Sequence, residues 1–454
     1  MDSVITSPTA AELDAGVSRP TIMAWVGLGI LLLLGFVAFL DRQIISLMVG
    51  MIKADLKITD SHIGILQGAA FGLAYPLFAL PLGYAADRYS RRWVIFLGII
   101  LWSIAAMLSG LAMGFSTLLA ARIGVGIGEA ALGPAAFSLL SDIFPRRRLA
   151  TVMSIYSCGS LLGAAGALAI GGAVIHWAAH GMTLPLAGHL AAWQIAFIVT
   201  GFPASVVAVL VFLIPEPPRP PRPARVAGQK PSAADWGEVI TFVRDNAAFL
   251  TCYVLGFSSL LLATWASLAW LPAILQRSYG WSVMQVGASL GLFTAVVGLP
   301  GQLTNGLVVD RMFSRSSRDA HLRYYVFASV VAAVCGILAP FAATAWLYLA
   351  ITAPQKFLMN YGGVQAATLQ IVTPSALRGR ISAVTGVVSS VLGGTFGPSV
   401  VAFFTDHVFH DDAKVAYSLA LTNLIFLPLA ALLFWLGMKP MRAAVDRMNA
   451  SLAV

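Results

Sequence analysis

Apolar residues run along this chain in long blocks separated by short polar turns. Blocks near 22–50, 61–86, 93–113, 116–141, 150–177 and 191–214 are each long enough for a helix to cross a bilayer, which takes about 20 residues. After a polar break the pattern resumes near 247–276, 282–309, 322–342, 344–373, 381–405 and 414–438. The expected fold class is an all-α membrane protein: twelve transmembrane helices in two pseudo-symmetric six-helix bundles. Its expected parts are an N-terminal tail (1–21), a first bundle (22–214), a linker (215–246), a second bundle (247–438) and a C-terminal tail (439–454).

Composition agrees, with 59% hydrophobic and 10% charged residues, where soluble proteins carry roughly a quarter charged. The net charge of +9 would suit nucleic acid, but its distribution excludes that partner. Arg88, Arg91, Arg92, Arg146 to Arg148, Arg311, Arg378, Arg380 and Lys439 fall on the side of the termini; Lys53, Lys57, Arg277 and Lys414 fall opposite. By the positive-inside rule both termini are expected in the cytoplasm. With no sizeable extramembrane domain, a bacterial inner membrane is the expected location. Cys158, Cys252 and Cys335 are odd in number and lie inside apolar blocks, so they read as small buried hydrophobes. Residues 1–20 are polar, and no cleavable signal peptide is read there.

The break at 215–235 is rich in Pro and Arg and reads as an extended joint between the halves. Trp236, Ile240 and Val243 follow at helical spacing, which fits a short interfacial helix or a plain linker equally. The halves also repeat. Gly83-x-x-x-Asp87-Arg88 ends the second block and Gly306-x-x-x-Asp310-Arg311 ends the eighth. Pro145 with Arg146 to Arg148 follows the fourth block, as Pro374 with Arg378 and Arg380 follows the tenth. Such duplication marks transporters built from two related bundles.

With these features the chain resembles the major facilitator superfamily. GYAADRYSRRWVI is similar to that family's loop between helices 2 and 3, with Ser90 where a glycine is usual. The second copy is looser, with Phe313 and Ser314 before Arg315. ARIGVGIGEA resembles the helix-4 motif that the family associates with proton coupling. Leu40-Asp41-Arg42, the glycine run up to Glu129 and LLSDIFPRRRLATVMSIYS resemble the spinster-like branch, which implies lysophospholipid or sphingosine-1-phosphate-type substrates. The resemblance implies a gate on the side of the termini built from Gly83, Asp87, Arg88, Arg91, Arg92, Asp142, Asp310 and Arg311. There the arginines would pair across the two bundles and latch one state.

Four charges stand where a membrane helix should carry none: Asp41 and Arg42 on helix 1, Arg122 and Glu129 on helix 4. Each costs about 3 kcal/mol at a helix centre, so such groups persist where they face a partner or a water-filled path. A rise of about 1.5 Å per residue puts the two pairs at overlapping depth. Arg122 and Glu129, two turns apart, share a face. Asp41 and Glu129 are therefore expected to carry protons, with Arg42 and Arg122 alternating between these acids and a substrate anion; the plain alternative is a static salt-bridge network. Lys356 on helix 10 is expected either to hold a phosphate or carboxylate or to be a snorkelling or internally paired lysine. Tyr75, Tyr156, Tyr253, Trp265, Trp270, Asn360 and Tyr361 are candidates to line the cavity.

Gly124-Val125-Gly126-Ile127-Gly128 imitates a nucleotide cradle but lies inside an apolar block, where small residues let helices approach. Gly159, Gly163 and Gly166 on helix 5, and Gly393, Gly394 and Gly397-Pro398 on helix 11, are read in the same way, and these Gly-rich helices are expected to form the interface on which the bundles rock. His176 with His180, and His407 with His410, have metal-like spacing but no completing ligand, so no metal is expected. No Walker motif or catalytic triad is present, and neither an enzyme nor a cofactor is expected. The expected function is secondary active transport by alternating access, proton-coupled. The expected cargo is an amphipathic anionic lipid or lysolipid, with a drug or small-organic-anion exporter as runner-up. Its expected partners are that small molecule, protons and membrane lipids, with the protein itself a monomer.

Overall fold

The computed structural model describes residues 21–179, 181–184, 188–217, 233–314, 318–374 and 377–452. The N-terminal tail, most of the Pro/Arg-rich linker, Arg315 and His180 lie outside them. Among the described residues, eleven helical segments are long and apolar enough to cross a membrane: Ile22–Leu47, Asp60–Arg88, Arg91–Ser109, Phe115–Ile143, Thr151–Trp177, Ala192–Leu213, Ala247–Tyr279, Val283–Ser314, Ala320–Phe341, Arg378–Phe409 and Asp412–Met448. A twelfth, tenth in chain order, is split into Ala345–Leu358 and Gly362–Val372. Hydroxyl caps start several of these helices: Thr21, Ser282 and Thr344 accept from the backbone N–H of Ala24, Gln285 and Leu347. Gly280, at φ +66°, ends the seventh crossing in the left-handed conformation that glycine adopts without strain.

The split in crossing 10 has a visible cause. Asn360, Tyr361, Gly362 and Gly363 are weak helix formers. The buried Asn305 amide on crossing 8 donates to the carbonyls of Phe357 (3.0 Å), Leu358 (3.2 Å) and Asn360 (3.3 Å). Carbonyls that a continuous helix would have used are thus satisfied inside the membrane. Crossings 8 and 11 carry wider π turns, at Thr294–Gly298, Ser390–Thr395 and Phe404–Phe409.

Helix ends differ from the hydropathy reading where packing decides. The last helix runs Val415–Leu452, well past the expected end at 438, because Met441, Ala444 and Val445 pack into an apolar core. A small antiparallel hairpin, Met182–Leu184 with Gly188–Leu190, lies between crossings 5 and 6. Of the two readings of the segment after the linker, the helix is found: Ala233–Asp245, with Val239 buried and Ile240 and Val243 exposed.

Three large apolar cores organise the crossings. One, around Leu31, Ile99, Trp102, Leu139 and Phe144, draws only on crossings 1–6. A second, around Phe257, Tyr325, Leu369 and Phe434, draws on the later crossings and the helix before them. The third joins both halves, mixing Ile44, Met48, Leu66 and Trp193 with Ala266, Ile274, Leu349 and Val401. It sits on the side opposite the termini, called here the far side.

Crossings 5 and 11 do meet the opposite half, against crossings 8 and 2, but the glycines singled out on them face their own half. Gly159 and Gly163 face Leu32 and Phe36 of crossing 1, and Gly393 and Gly397 face Leu261 and Leu262 of crossing 7, so all four pack within their own half. The approach between halves uses Gly287, where a Cβ would lie 2.2 Å from the Leu168 carbonyl, and Gly68, where it would lie 2.3 Å from that of Thr395. A period-based reading sees small residues on both kinds of contact and has no means of telling them apart.

Candidate functional site

The α-helix of crossing 1 ends at Gln43 and tightens into the 3-10 turn Ile44–Leu47, presenting Asp41 and Arg42 on its last turn. Crossing 4 brings Glu129 to Arg42 at the end of the helix Phe115–Glu129. The two form an ion pair, Arg42 Nη2 to Glu129 Oε2. The Arg42 guanidinium also lies 3.6 Å from the Phe71 ring centroid, with Phe39 at 5.4 Å and Tyr75 at 5.7 Å. Aromatic faces attract a cation and exclude water from it. Glu129 Oε1 and Arg42 Nε have no hydrogen-bond partner. Both side chains line a cavity of about 160 Å³ with Phe39, Tyr75, Tyr156 and Ser160, so the pair faces open space.

Asp41 and Arg122 play other parts. Arg122 is almost fully buried and donates to the backbone carbonyls of Asp41 and Arg42, each at 3.2 Å. A guanidinium there meets the negative end of helix 1. The expected alternation of Arg122 between acids and substrate does not match this placement, since its hydrogen-bond acceptors are carbonyls. Consecutive helical residues point about 100° apart. Asp41, beside Arg42 in sequence, therefore turns toward Trp102 and Thr200, on crossings 3 and 6. It is 1% exposed, and its carboxyl lies near Thr200 and Trp102 without a hydrogen bond of good geometry to either. The four charges converge as anticipated but divide into a cavity pair and a buried pair.

A cavity of about 110 Å³ opens among crossings 7, 8, 9, 10 and 12 of the second half, with Leu168 of crossing 5 reaching it from the first, and Lys356 lines it. Among the described residues its amine has neither a hydrogen-bond nor an ion-pair partner, so internal pairing is not its role. Trp265 stacks on Phe39 with ring centroids 6.4 Å apart. The pair spans both halves, between the wall of the first cavity and the Thr264 wall of the second. Other aromatic candidates are structural. Tyr253 donates to the Gln365 carbonyl at 2.9 Å, Trp270 to that of Pro398 at 2.9 Å, and Tyr361 packs against Phe257. The Asn360 amide donates to the carbonyls of Gly298, Lys356 and Phe357, tying the split helix rather than facing a ligand.

On the far side, Asp60 is fully buried. It accepts from Arg277 at 2.6 and 2.8 Å and pairs with Lys53 at 2.8 Å. Lys53 reaches Asp412 at 2.5 Å, and Asp406 accepts from the Ser61 N–H at 2.6 Å. Gln43 and Gln276 donate to the carbonyls of Leu268 and Leu47 in the opposite halves. Apart from Lys53–Asp60, which lies within the first half, these bonds lock the halves together. Carboxylate oxygens of Asp60, Asp406 and Asp412 lie within 4.8 Å of one another, a metal-like spacing that Lys53 and Arg277 already neutralise. His407 stacks on Phe403. Asp60 and Arg277 escaped the sequence reading, although a signal was present. Lys53 and Arg277 stand among the few basic residues that break the positive-inside pattern.

On the termini side, the expected gate residues form ties within one half. Arg91 pairs with Asp142 at 2.5 Å. Glu216 accepts from Ser90 and the Arg91 N–H at 2.5 Å each and from Arg92 at 3.1 Å. Burial raises the Glu216 carboxyl, but these bonds outweigh it and hold the group below its ordinary value. Arg88 lies over Tyr84, Gly83 packs on Pro134, and Asp87 is also engaged. In the second copy, Asp310 acts electrostatically on His321, and Arg311 is exposed. The described ties of Arg91 and Arg92 brace the first half and do not latch it to the second.

Comparison with known proteins follows the same lines. The profile described as "Major Facilitator Superfamily" matches residues 31–398. An "MFS-type efflux pump" of Mycolicibacterium smegmatis is 27% identical over 417 residues, 91% of this chain and 92% of that protein. A "Probable L-galactonate transporter" of Escherichia coli is 26% identical over 87% of this chain and 86% of its own. "Protein spinster homolog 1" of Xenopus tropicalis is 26% identical over 84% of this chain and 72% of its own. Among solved structures, a bacterial homolog of the human lysosomal transporter Spinster, inward-facing and unoccupied, superposes with a TM-score of 0.76. It is 21% identical and covers 94% of this chain and 99% of that one.

Proposed function

We propose a function from a plain premise: the chain belongs to the Major Facilitator Superfamily. It is a secondary transporter of a small molecule, with an all-helical, multi-pass membrane fold, and not an enzyme. Our finer reading is a proton-coupled carrier of the spinster-like branch that moves an amphipathic anionic lipid or lysolipid. It works as a monomer in a bacterial inner membrane with both termini in the cytoplasm. On that orientation the locked far side faces outward, and the described state is the inward-facing one.

The observation that carries the reading is the Arg42–Glu129 pair on the cavity wall. A proton on Glu129 removes the charge that holds Arg42, and the guanidinium then turns to an anionic substrate group. Loss of the proton returns Arg42 to Glu129 and releases the anion. Arg122 braces the helix end that carries Arg42. Asp41, buried beside Thr200 and Trp102, is the second protonation site, reached when crossings 1, 3 and 6 part.

Purified protein in liposomes with an imposed pH gradient tests this with a fluorescent lysolipid. Glu129→Gln is expected to abolish the dependence on the gradient, and Asp41→Asn to weaken it. Undiminished proton dependence in both variants would overturn the coupling assignment. The second reading, an exporter of drugs or small organic anions, draws on the similarity to an efflux pump and an L-galactonate transporter. Gradient-driven movement of a chain-free organic anion, with none of the lysolipid, would favour it.

A further inference from the structure

We infer that the second-half cavity around Lys356 is the seat of the substrate's head group, and that it selects a net-anionic amphiphile over a zwitterionic one. This deepens the transport reading above and rests on it.

Lys356 projects into a space that the fold keeps open from two sides. Crossing 8 widens there into the π turn Thr294–Gly298, and crossing 10 breaks three residues beyond the lysine, at Met359–Tyr361. A Cβ on Gly298 would lie 3.3 Å from Lys356 Cε, so a side chain at 298 would press on the lysine's path. Irregular backbone at membrane depth is tolerated where it lines a cavity or is buried in protein, and paired irregular helices frame transporter binding sites. Here both irregularities border the same cavity.

The chemistry of the wall sets the ligand class. The same wall carries Gln355 and Asn423, neutral amides able to donate to an oxyanion, while the Thr352 hydroxyl donates to the Tyr348 carbonyl. Gln355 and Asn423 meet each other only at 3.5 Å, which leaves bonding capacity for a ligand. Most of the remaining wall is apolar, including Leu268, Leu271, Leu290, Phe293 and Leu419, and suits an alkyl chain. No acidic residue lines the cavity among the described residues. A phosphate, carboxylate or sulfonate would gain a charge-assisted partner in Lys356. A quaternary ammonium on the same head group would lose water and find no counter-charge.

Binding to the purified full-length protein in detergent decides this by thermophoresis, without transport. The probes are a lysophosphatidate, a lysophosphatidylcholine with the same acyl chain, and glycerol 3-phosphate. Wild type is expected to bind the lysophosphatidate at least about tenfold tighter than the choline lipid, a charge-assisted contact's worth. Lys356→Gln should erase that preference, and Lys356→Arg, which keeps the charge, should retain most of it. An unchanged preference in Lys356→Gln, or equal affinity for both lysolipids in wild type, would overturn the seat. In that case lysolipid binding as such leaves the lipid reading standing. Glycerol 3-phosphate bound as tightly as the lysophosphatidate, and dependent on Lys356, would support the seat while overturning the lipid reading.

Discussion

Asp60→Asn should release the far-side lock by an amount the structure allows to be worked out. Asparagine keeps the shape but loses the charge and one acceptor that Arg277 and Lys53 use. Removing one partner of a buried ion pair costs about 3–5 kcal/mol. Arg277 and Lys53 retain 15% and 14% side-chain exposure, and Lys53 keeps Asp412, so about 2–3 kcal/mol is the fitting range. The Arg277–Asp60 bonds form only when crossings 2 and 7 meet, so their loss falls on the closed state, whereas the Lys53–Asp60 pair lies within the first half and weighs on both states. At 1.4 kcal/mol per decade, the closed-to-open ratio falls roughly 30- to 150-fold. The reporter is Ser46→Cys, a near-isosteric change at a fully buried position at the far-side end of crossing 1, with Cys158, Cys252 and Cys335 replaced. Labelling by an impermeant maleimide requires opening, so its rate tracks the open population. The rate should rise by the same 30- to 150-fold factor in Asp60→Asn. A rise below about threefold, in a variant that still melts cooperatively, would refute the lock as the element that sets this equilibrium.

Asn305→Leu should lower the thermal midpoint in detergent and raise amide exchange at 357–361. It strips the split helix of its donor and leaves the Tyr324 hydroxyl without its acceptor, at about 1–3 kcal/mol per unsatisfied group; an unchanged midpoint would show that the break needs no such support. Glu216 predicts an acid dependence. Its folded-state value is lowered, so the stability it adds is complete above the unfolded value near about pH 4.3 and is lost as pH falls through the folded value. Glu216→Gln should flatten the stability profile in that window, and an identical acid limb in both proteins would contradict the assignment.

The twelve crossings were legible because hydrocarbon imposes one requirement on every residue of a span. The convergence of Asp41, Arg42, Arg122 and Glu129 was legible because buried charges are too costly to be scattered. What the charges bond to was not. Arg122 sits at carbonyls because helix 1 happens to end beneath it, and that end is set by a 3-10 turn with no marker residue. Asn360 looked like a cavity residue and is an internal tie, because only the fold reveals that crossing 10 has carbonyls to satisfy there. The far-side lock joins Lys53, Asp60, Arg277 and Asp412, residues that no local period relates. Its one trace was basic residues on the side where loops are otherwise poor in them.

That lock is also graded in its contact with water. Asp60 at its centre is wholly buried, whereas Asp412 at its edge is 57% exposed. At physiological ionic strength the screening length is about 8 Å, and it shortens to roughly 3 Å at molar salt. Electrolyte in the compartment beyond the far side therefore weakens the Lys53–Asp412 edge and leaves the Asp60–Arg277 centre nearly untouched. The salinity of one compartment would trim how readily the carrier turns over, without ever unlocking it.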